Sequence, residues 1–395
     1  MHKKINAAKA FCFVAAASGV SLSAPTVNAQ NVVLYGIVDT AVEYVNKLPS
    51  GQGSGSRWSM TRIGGQAPSR WGIRSSEDLG NGWQATLWLE SGFAPDTGEL
   101  APAPTGGYFQ RQSAMGLRHA TYGSLTMGRM YTTMFDAVAS FAPMRLATTY
   151  EPVSLMAGTG NRENNMLKYS VDMGNWHHGL HYSFGTGTPF QGGVVSPIAG
   201  GEIAGDARAQ TGYGASTFYM NNGSGFGVGF DQVNTAVEQK SRKGSEKKAF
   251  VAGAYANGKM RYFAGLRWQN SIYPNGQVAN RNNFYWSGAI YQATDKLSLT
   301  GAFYYLDNKK ASISPIGQVT SLPNPKQISL LADYQISKRT DIYAAIAWSR
   351  DGALNFDSTL NTANLYGYSS PSSASGLMDG QKSMLGIAAG LRVVF

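Results

Sequence analysis

The side chains with chemistry to offer are few. Three histidines, His177, His178 and His181, fall close together, and His119 stands apart. Imidazoles grouped this way would suit a metal centre, but such a centre also takes carboxylates or thiolates at matching spacing. None sits at ligand spacing here, so the group is read as lying around a turn, with no metal. Glycines alternate at 223, 225, 227 and 229. A dinucleotide fingerprint requires a helix after its glycines, and the sequence indicates none, so no cofactor is expected. Serines are scattered without the His and carboxylate partners that a hydrolase would require. Basic residues then stand out, with 33 Lys and Arg against 23 Asp and Glu and a formal charge of +10. They form no block, and no nucleic acid partner is expected.

The first residues set the compartment. Lys3, Lys4 and Lys9 precede an apolar stretch from Ala10 to Val20, and small and polar residues lead to Val27-Asn28-Ala29. That order reads as a secretory leader cleaved after Ala29. The apolar stretch falls well short of the ~20 residues a spanning helix needs. Residues 1–29 are therefore expected to be removed, leaving a single domain over 30–395. Cleavage takes away three lysines and no acid, lowering the charge from +10 to +7. The single cysteine, Cys12, departs with the leader, so the exported chain has no disulfide. Export without disulfides suggests a bacterial envelope protein.

Periodicity decides the fold class. Leu385, Ile387, Ala389, Leu391, Val393 and Phe395 share one parity, and Gly386, Ala388, Gly390, Arg392 and Val394 the other. In the opening segment Val32, Leu34, Val38, Val42 and Tyr44 oppose Tyr35, Asp39 and Glu43. The pattern recurs from Leu297 to Tyr305 and from Ile328 to Ile336. Alternation this long suits a tilted bilayer strand. Strands are predicted from near residues 32, 69, 82, 108, 124, 165, 178, 210, 226, 247, 259, 283, 297, 326, 340 and 381, about sixteen in all. Brief turns at Leu79-Gly80-Asn81, Asn257-Gly258 and Asp295-Lys296 alternate with long polar stretches such as 186–209 and 351–379. An all-β transmembrane antiparallel barrel follows, because lipid tolerates strands only when closure satisfies every edge. Aromatics such as Trp83, Tyr285 and Trp348 near strand ends fit interfacial girdles, and they also fit simple strand propensity.

Several segments resemble the trimeric general porins of Gram-negative outer membranes, particularly the anion-selective type of β-proteobacteria. They include Val33-Leu34-Tyr35-Gly36-Ile37-Val38-Asp39, Ser69-Arg70-Trp71-Gly72-Ile73-Arg74 with Glu77-Asp78-Leu79-Gly80, Phe109-Gln110-Arg111-Gln112-Ser113, Gly128-Arg129, Arg162-Glu163-Asn164-Asn165, Ser337-Lys338-Arg339-Thr340 and Gly390-Leu391-Arg392 ahead of Phe395. Val393 departs from the family's penultimate-region His, and Trp71 stands where a smaller residue is usual. The resemblance implies a homotrimer in contact with outer-membrane lipids, lipopolysaccharide among them. It also implies that Phe395 serves as an assembly signal read by the barrel-assembly machinery.

The resemblance further implies that the third long loop, here about residues 131–164, folds into the lumen and narrows it. Its Phe135, Phe141, Met144 and Leu146 are apolar for an external loop. By their places in the matched motifs, Arg70, Arg111 and Arg162 line the narrowest point, and small anionic solutes are the expected cargo. Arginine suits the task because its charge persists at any physiological pH and its fork matches carboxylate and phosphate. Arg74 and Arg129 extend the basic ladder, or else pair with Asp39, Glu77, Asp78 or Glu90 to stiffen the wall. Asp136 and Glu151 supply an opposing acidic side, or else are solvated loop acids. The rival classes are a hydrolase barrel, a plugged adhesive barrel and a secreted soluble β-sandwich. Enzymatic turnover, absence of liposome swelling and solubility without detergent, respectively, would reveal them.

Overall fold

The computed structural model describes residues 31–50, 53–101, 107–158, 160–187, 202, 205, 207–234, 244–312, 323–352, 354 and 382–395. The expected leader and most of the stretches 186–209 and 351–379 lie outside these residues.

Among the described residues, seventeen strand segments form one antiparallel sheet. They are β1 (Asn31–Ser50), β2 (Gly53–Met60), β3 (Arg70–Gly80), β4 (Trp83–Gly92), β5 (Gln112–His119), β6 (Gly123–Tyr131), β7 (Arg162–Met173), β8 (Trp176–Ser183), β9 (Gly212–Asn221), β10 (Ser224–Asn234), β11 (Ser245–Asn257), β12 (Met260–Ile272), β13 (Val278–Gln292), β14 (Leu297–Ala311), β15 (Lys326–Gln335), β16 (Thr340–Arg350) and β17 (Ser383–Val394). Two short helices, α1 (Thr133–Ala139) and α2 (Val153–Ala157), lie between β6 and β7. From β3 onward each strand pairs with the next, and β17 returns to β1 with Ile37 opposite Val394. The sheet is thus a closed barrel.

Its wall has sixteen places. The first half of β1 pairs with β3 and the second half with β2, so β2 and β3 share one place along a single neighbour. The Gly-Ser-rich run 53–60 has the composition of a loop, which is why alternation does not find it. Pairing with β1 makes it a strand, with Trp58 set against Tyr44 at 5.0 Å between ring centroids. Between β2 and β3 the chain gathers over Asp39, whose carboxylate accepts from the backbone N–H of Gly65, Gln66 and Ala67 at 2.9, 2.9 and 2.7 Å. The Tyr343 hydroxyl donates to the same carboxylate at 2.5 Å.

Burial follows the parity read from sequence. Val32, Leu34 and Val42 are exposed on β1, whereas Asp39 and Glu43 are fully buried. Leu299, Phe303, Ile328, Leu330, Ile346, Ile387 and Leu391 are likewise exposed. An outward row of large apolar side chains around a closed sheet is a lipid-facing surface. At the seam, Gly36 and Phe395 exchange both backbone hydrogen bonds at 3.0 Å. The terminal ring lies over Gly36, where an added Cβ would come 2.2 Å from it, so a side chain at this strand position would have to displace the ring.

The connection between β6 and β7 packs on the opposite, buried face of the wall. Thr132 caps α1 by accepting from the Phe135 N–H at 3.2 Å, and Met134, Ala137 and Val138 are buried beneath the helix. Wall side chains then take the loop's carbonyls. Trp286 Nε1 donates to Phe141 O at 3.0 Å, Arg267 Nε to Leu155 O at 2.8 Å, and Gln327 Nε2 and Ser329 Oγ to Tyr150 O at 2.8 and 2.7 Å. Each of these four wall residues lies next to outward-facing positions such as Tyr285, Trp268 and Ile328. The segment therefore runs along the inner surface of β8 to β15.

Candidate pore constriction

Opposite that segment, the ends of β3, β4, β6 and β7 and the residue before β5 bring three arginines together. Glu90 on β4 anchors two of them. Its Oε1 accepts from Arg111 Nε at 2.7 Å, and its Oε2 lies 3.5 Å from Arg70 Nε and accepts from the Tyr35 hydroxyl at 2.8 Å. Arg162 joins through Tyr131, whose hydroxyl accepts from Nη2 of Arg162 and from Nη2 of Arg111, the latter at 3.2 Å. The Arg162 guanidinium carbon also lies over the Tyr131 ring, 4.0 Å from its centroid. A cavity of about 380 Å³ opens between these arginines and the loop residues Phe135, Arg145, Leu146 and Glu151. Three guanidiniums around Glu90 leave this cluster a surplus of two positive charges, and Arg145 adds a further guanidinium to the cavity wall.

The other sequence-assigned residues are placed differently. Arg129 donates from Nε to Gln110 O at 2.6 Å and from Nη1 to Asn164 Oδ1 at 2.5 Å, which sets it beside Arg162. A bulge makes this possible, because Gly128 faces Met166 while Met130 already faces Glu163, with Asn165 in the left-handed region. Gly128 has φ +127°, and a Cβ there would lie 2.1 Å from Ser113 O. Replacing Gly128 with Ala is expected to cost about 2 kcal/mol or more through strain and backbone overlap, measured as a lower unfolding midpoint in detergent. A variant as stable as the parent would show that the bulge is not held by this glycine.

Arg74 belongs to a separate level. Its guanidinium stacks on Tyr35 at 4.6 Å and Trp88 at 4.3 Å, and it lines a second cavity of about 630 Å³ with Arg118, Lys168 and Asp172. Of the candidate partners, Glu90 alone pairs with arginines of this cluster, Arg70 and Arg111, since Asp39 serves the 61–69 segment. Asp136 pairs with Lys168 at 2.8 Å. Glu151 is fully buried and organises the loop, accepting from the N–H of Met144 and Leu146 at 2.9 and 2.6 Å and from the Tyr304 hydroxyl at 3.0 Å.

Burial of Glu151 pushes its carboxyl up from 4.5 to about 7, against the opposing pull of those donors. The folded chain therefore holds this proton more tightly than the unfolded chain. The resulting stabilisation is complete below pH 4.5 and disappears as pH rises to about 7. Glu151→Gln cannot titrate, so the difference in melting temperature between the parent and this variant should change across that window. A constant difference would show that the carboxyl does not titrate there.

The histidines require a correction. The turn between β7 and β8 lies at Gly174-Asn175, and only His177 and His178 are near it; His177 pairs with Asp172 at 2.7 Å. His181 is buried and does have acidic partners, with Nε2 3.5 Å from Glu163 Oε2 and 3.8 Å from Asp231 Oδ1. These three residues come from β7, β8 and β10, so linear spacing could not reveal the group. Their donor atoms lie within 4.8 Å of one another, a span that a metal ion can bridge. Lys248 places a fixed ammonium 3.7 Å from Asp231 Oδ2 and 3.7 Å from Glu246 Oε1. With a cation already built in, the group is a buried ion-pair cluster that seats the loop.

The closed barrel has known counterparts. A family model described as Gram-negative porin matches residues 10–354. The chain belongs to the Gram-negative porin family. Among curated porins, an outer membrane porin protein of Bordetella pertussis is 25% identical over 358 residues, covering 82% of this chain and 90% of that protein. Outer membrane porin protein 32 of Delftia acidovorans is 26% identical over 328 residues, covering 76% and 89%. Among solved structures, the anion-selective porin from Comamonas acidovorans superposes with a TM-score of 0.70 at 24% identity, covering 93% of this chain and 100% of that one. The trimer form of OmpT from Vibrio cholerae gives 0.61 at 13% identity, covering 93% and 100%. This porin is thus an outer-membrane protein that crosses the bilayer with strands, and its barrel is the diffusion channel of its family.

Proposed function

We propose that this porin passes small hydrophilic solutes with a preference for anions, and that residues 131–164 narrow the lumen against Arg70, Arg111 and Arg162. The observation that carries the reading is the surplus of two positive charges where three guanidiniums gather beside the cavity around one carboxylate, which pairs with two of them. Basic side chains ringed in a pore, with low-dielectric walls focusing their field, select for anions. Arg129 adds to this level, and Arg74 with Arg118 and Lys168 forms a second basic stage along the path. Asp136 and Glu151 hold the loop in shape and register, which leaves the transverse field weak on the acidic side. Transport is by diffusion and involves no catalysis.

Export by cleavage after Ala29, assembly as a homotrimer among lipopolysaccharide and other outer-membrane lipids, and recognition of Phe395 by the barrel-assembly machinery complete the proposal. The trimer form among the structural relatives supports self-association. The direct test is the reversal potential of the refolded protein in a planar bilayer across a KCl gradient. It should take the sign of chloride preference, and a potential at zero or on the potassium side would overturn the reading.

A further inference from the structure

We propose that Tyr131 is the positioning residue that makes the constriction discriminate among anions, favouring planar oxyanions such as carboxylates over halide; this rests on the reading of the arginine cluster as the constriction. Tyr131 ends β6 where the wall gives way to the loop. Its ring is held on both faces, with the Arg162 guanidinium carbon at 4.0 Å from the centroid and the Phe135 ring at 4.2 Å and 12°. A guanidinium and a ring cannot both lie that close on one face, so the stack is Arg162, Tyr131, Phe135. The hydroxyl then accepts from Arg111 and Arg162, so one oxygen ties the two guanidiniums together.

The effect is to fix a side chain that would otherwise turn freely. A guanidinium donates in its own plane. The bond to the Tyr131 hydroxyl therefore directs that plane for Arg162 and determines which part of its edge is already used, while the ring below limits the swing of the side chain. Nε of Arg162 is buried with no hydrogen-bond partner among the described residues, and Arg162 lines the cavity. Arg111 is fixed from both sides, by Glu90 at Nε and by Tyr131 at Nη2. A planar carboxylate or nitrate needs donors arranged in one plane and gains from this order. Chloride, a sphere, accepts from any direction and gains little, so an unpinned cluster would still attract anions yet lose the distinction between them.

Two substitutions test the proposal in the full-length protein refolded in detergent and inserted into planar bilayers. Tyr131→Leu removes the ring and the hydroxyl, and Tyr131→Phe removes the hydroxyl alone. With KCl on one side and potassium acetate on the other, the acetate-to-chloride permeability ratio should fall about threefold or more in Tyr131→Leu, with Tyr131→Phe between it and the parent. All three guanidiniums remain, so chloride should still be preferred over potassium. An acetate-to-chloride ratio equal to the parent's in both variants overturns the proposal. If Tyr131→Leu does not refold, Tyr131→Phe decides alone, and an unchanged ratio there overturns it too. A parent channel with no anion preference in KCl would instead defeat the reading of the constriction itself.

Discussion

Neutralising Arg70, Arg111 and Arg162 to Gln, with Glu90→Gln in the same chain, should lower the chloride-to-potassium permeability ratio by at least about tenfold. Glu90 must be changed as well, because it is buried and its ion pairs are with Arg111 and Arg70. Left alone it would be an uncompensated buried carboxylate, a defect of about 3–5 kcal/mol that would confuse loss of folding with loss of selectivity. The combined variant removes two net positive charges from the cavity wall. A unit charge about 5 Å from the ion path contributes about 0.8 kcal/mol in a water-like medium, with opposite sign for anion and cation. Salt at about 0.1 M screens only part of this, because the distance is shorter than its ~10 Å Debye length. Glu90→Gln alone should move the potential the other way, since it frees two guanidiniums from their counter-charge. If the four-residue variant keeps the parent's reversal potential, the selectivity arises elsewhere, and the second basic stage at Arg74, Arg118 and Lys168 would be the place to look.

The barrel was legible in the sequence because its physics is local. Alternation along a strand is imposed by lipid on one side and water on the other, and rows such as Leu385 to Phe395 record it residue by residue. The one strand segment that escaped, Gly53–Met60, lies where the chain detours over Asp39 and carries a composition suited to a turn. The arginines were legible only through the motifs containing them. Nothing in their spacing announces that positions 70, 111 and 162 meet, since the meeting depends on three different hairpins. Their partners were harder still. Glu90 was one of four candidate acids, and Tyr131 was only the first residue of the loop, because a phenol that bridges two guanidiniums is defined by distance and not by sequence neighbourhood. The same holds for His181, whose nearby His177 and His178 suggested a turn, while its actual partners came from β7 and, across β9, from β10. Buried polar clusters of this kind form where inward-facing positions of non-consecutive strands converge beneath a loop, so they leave no periodic signature.

That cluster yields the second large expectation. Lys248→Met should destabilise the barrel by about 3–5 kcal/mol, because it removes one member of a buried ion-pair group while its acids remain. Lys248, Asp231 and Glu163 are all buried, and the Lys248 ammonium faces Asp231 and Glu246 at 3.7 Å each. Methionine retains most of the aliphatic stem. This matters because the stem lies on Gly158, at the end of α2, so closely that a Cβ there would come 2.2 Å from Lys248 Cδ. The substitution thus separates charge from packing. Restoring balance with Asp231→Asn in the same chain should recover much of the loss, as expected when the cost comes from leaving a charge unpaired rather than from losing a favourable pair. The midpoint of thermal unfolding in detergent reads both steps. Single-channel traces should become noisier in Lys248→Met, because Arg267 and Trp286 would then hold a loop whose last turn has lost its electrostatic seat. If Lys248→Met melts with the parent, the ammonium does not hold these acids together, and the loop rests on its apolar contacts and backbone hydrogen bonds alone.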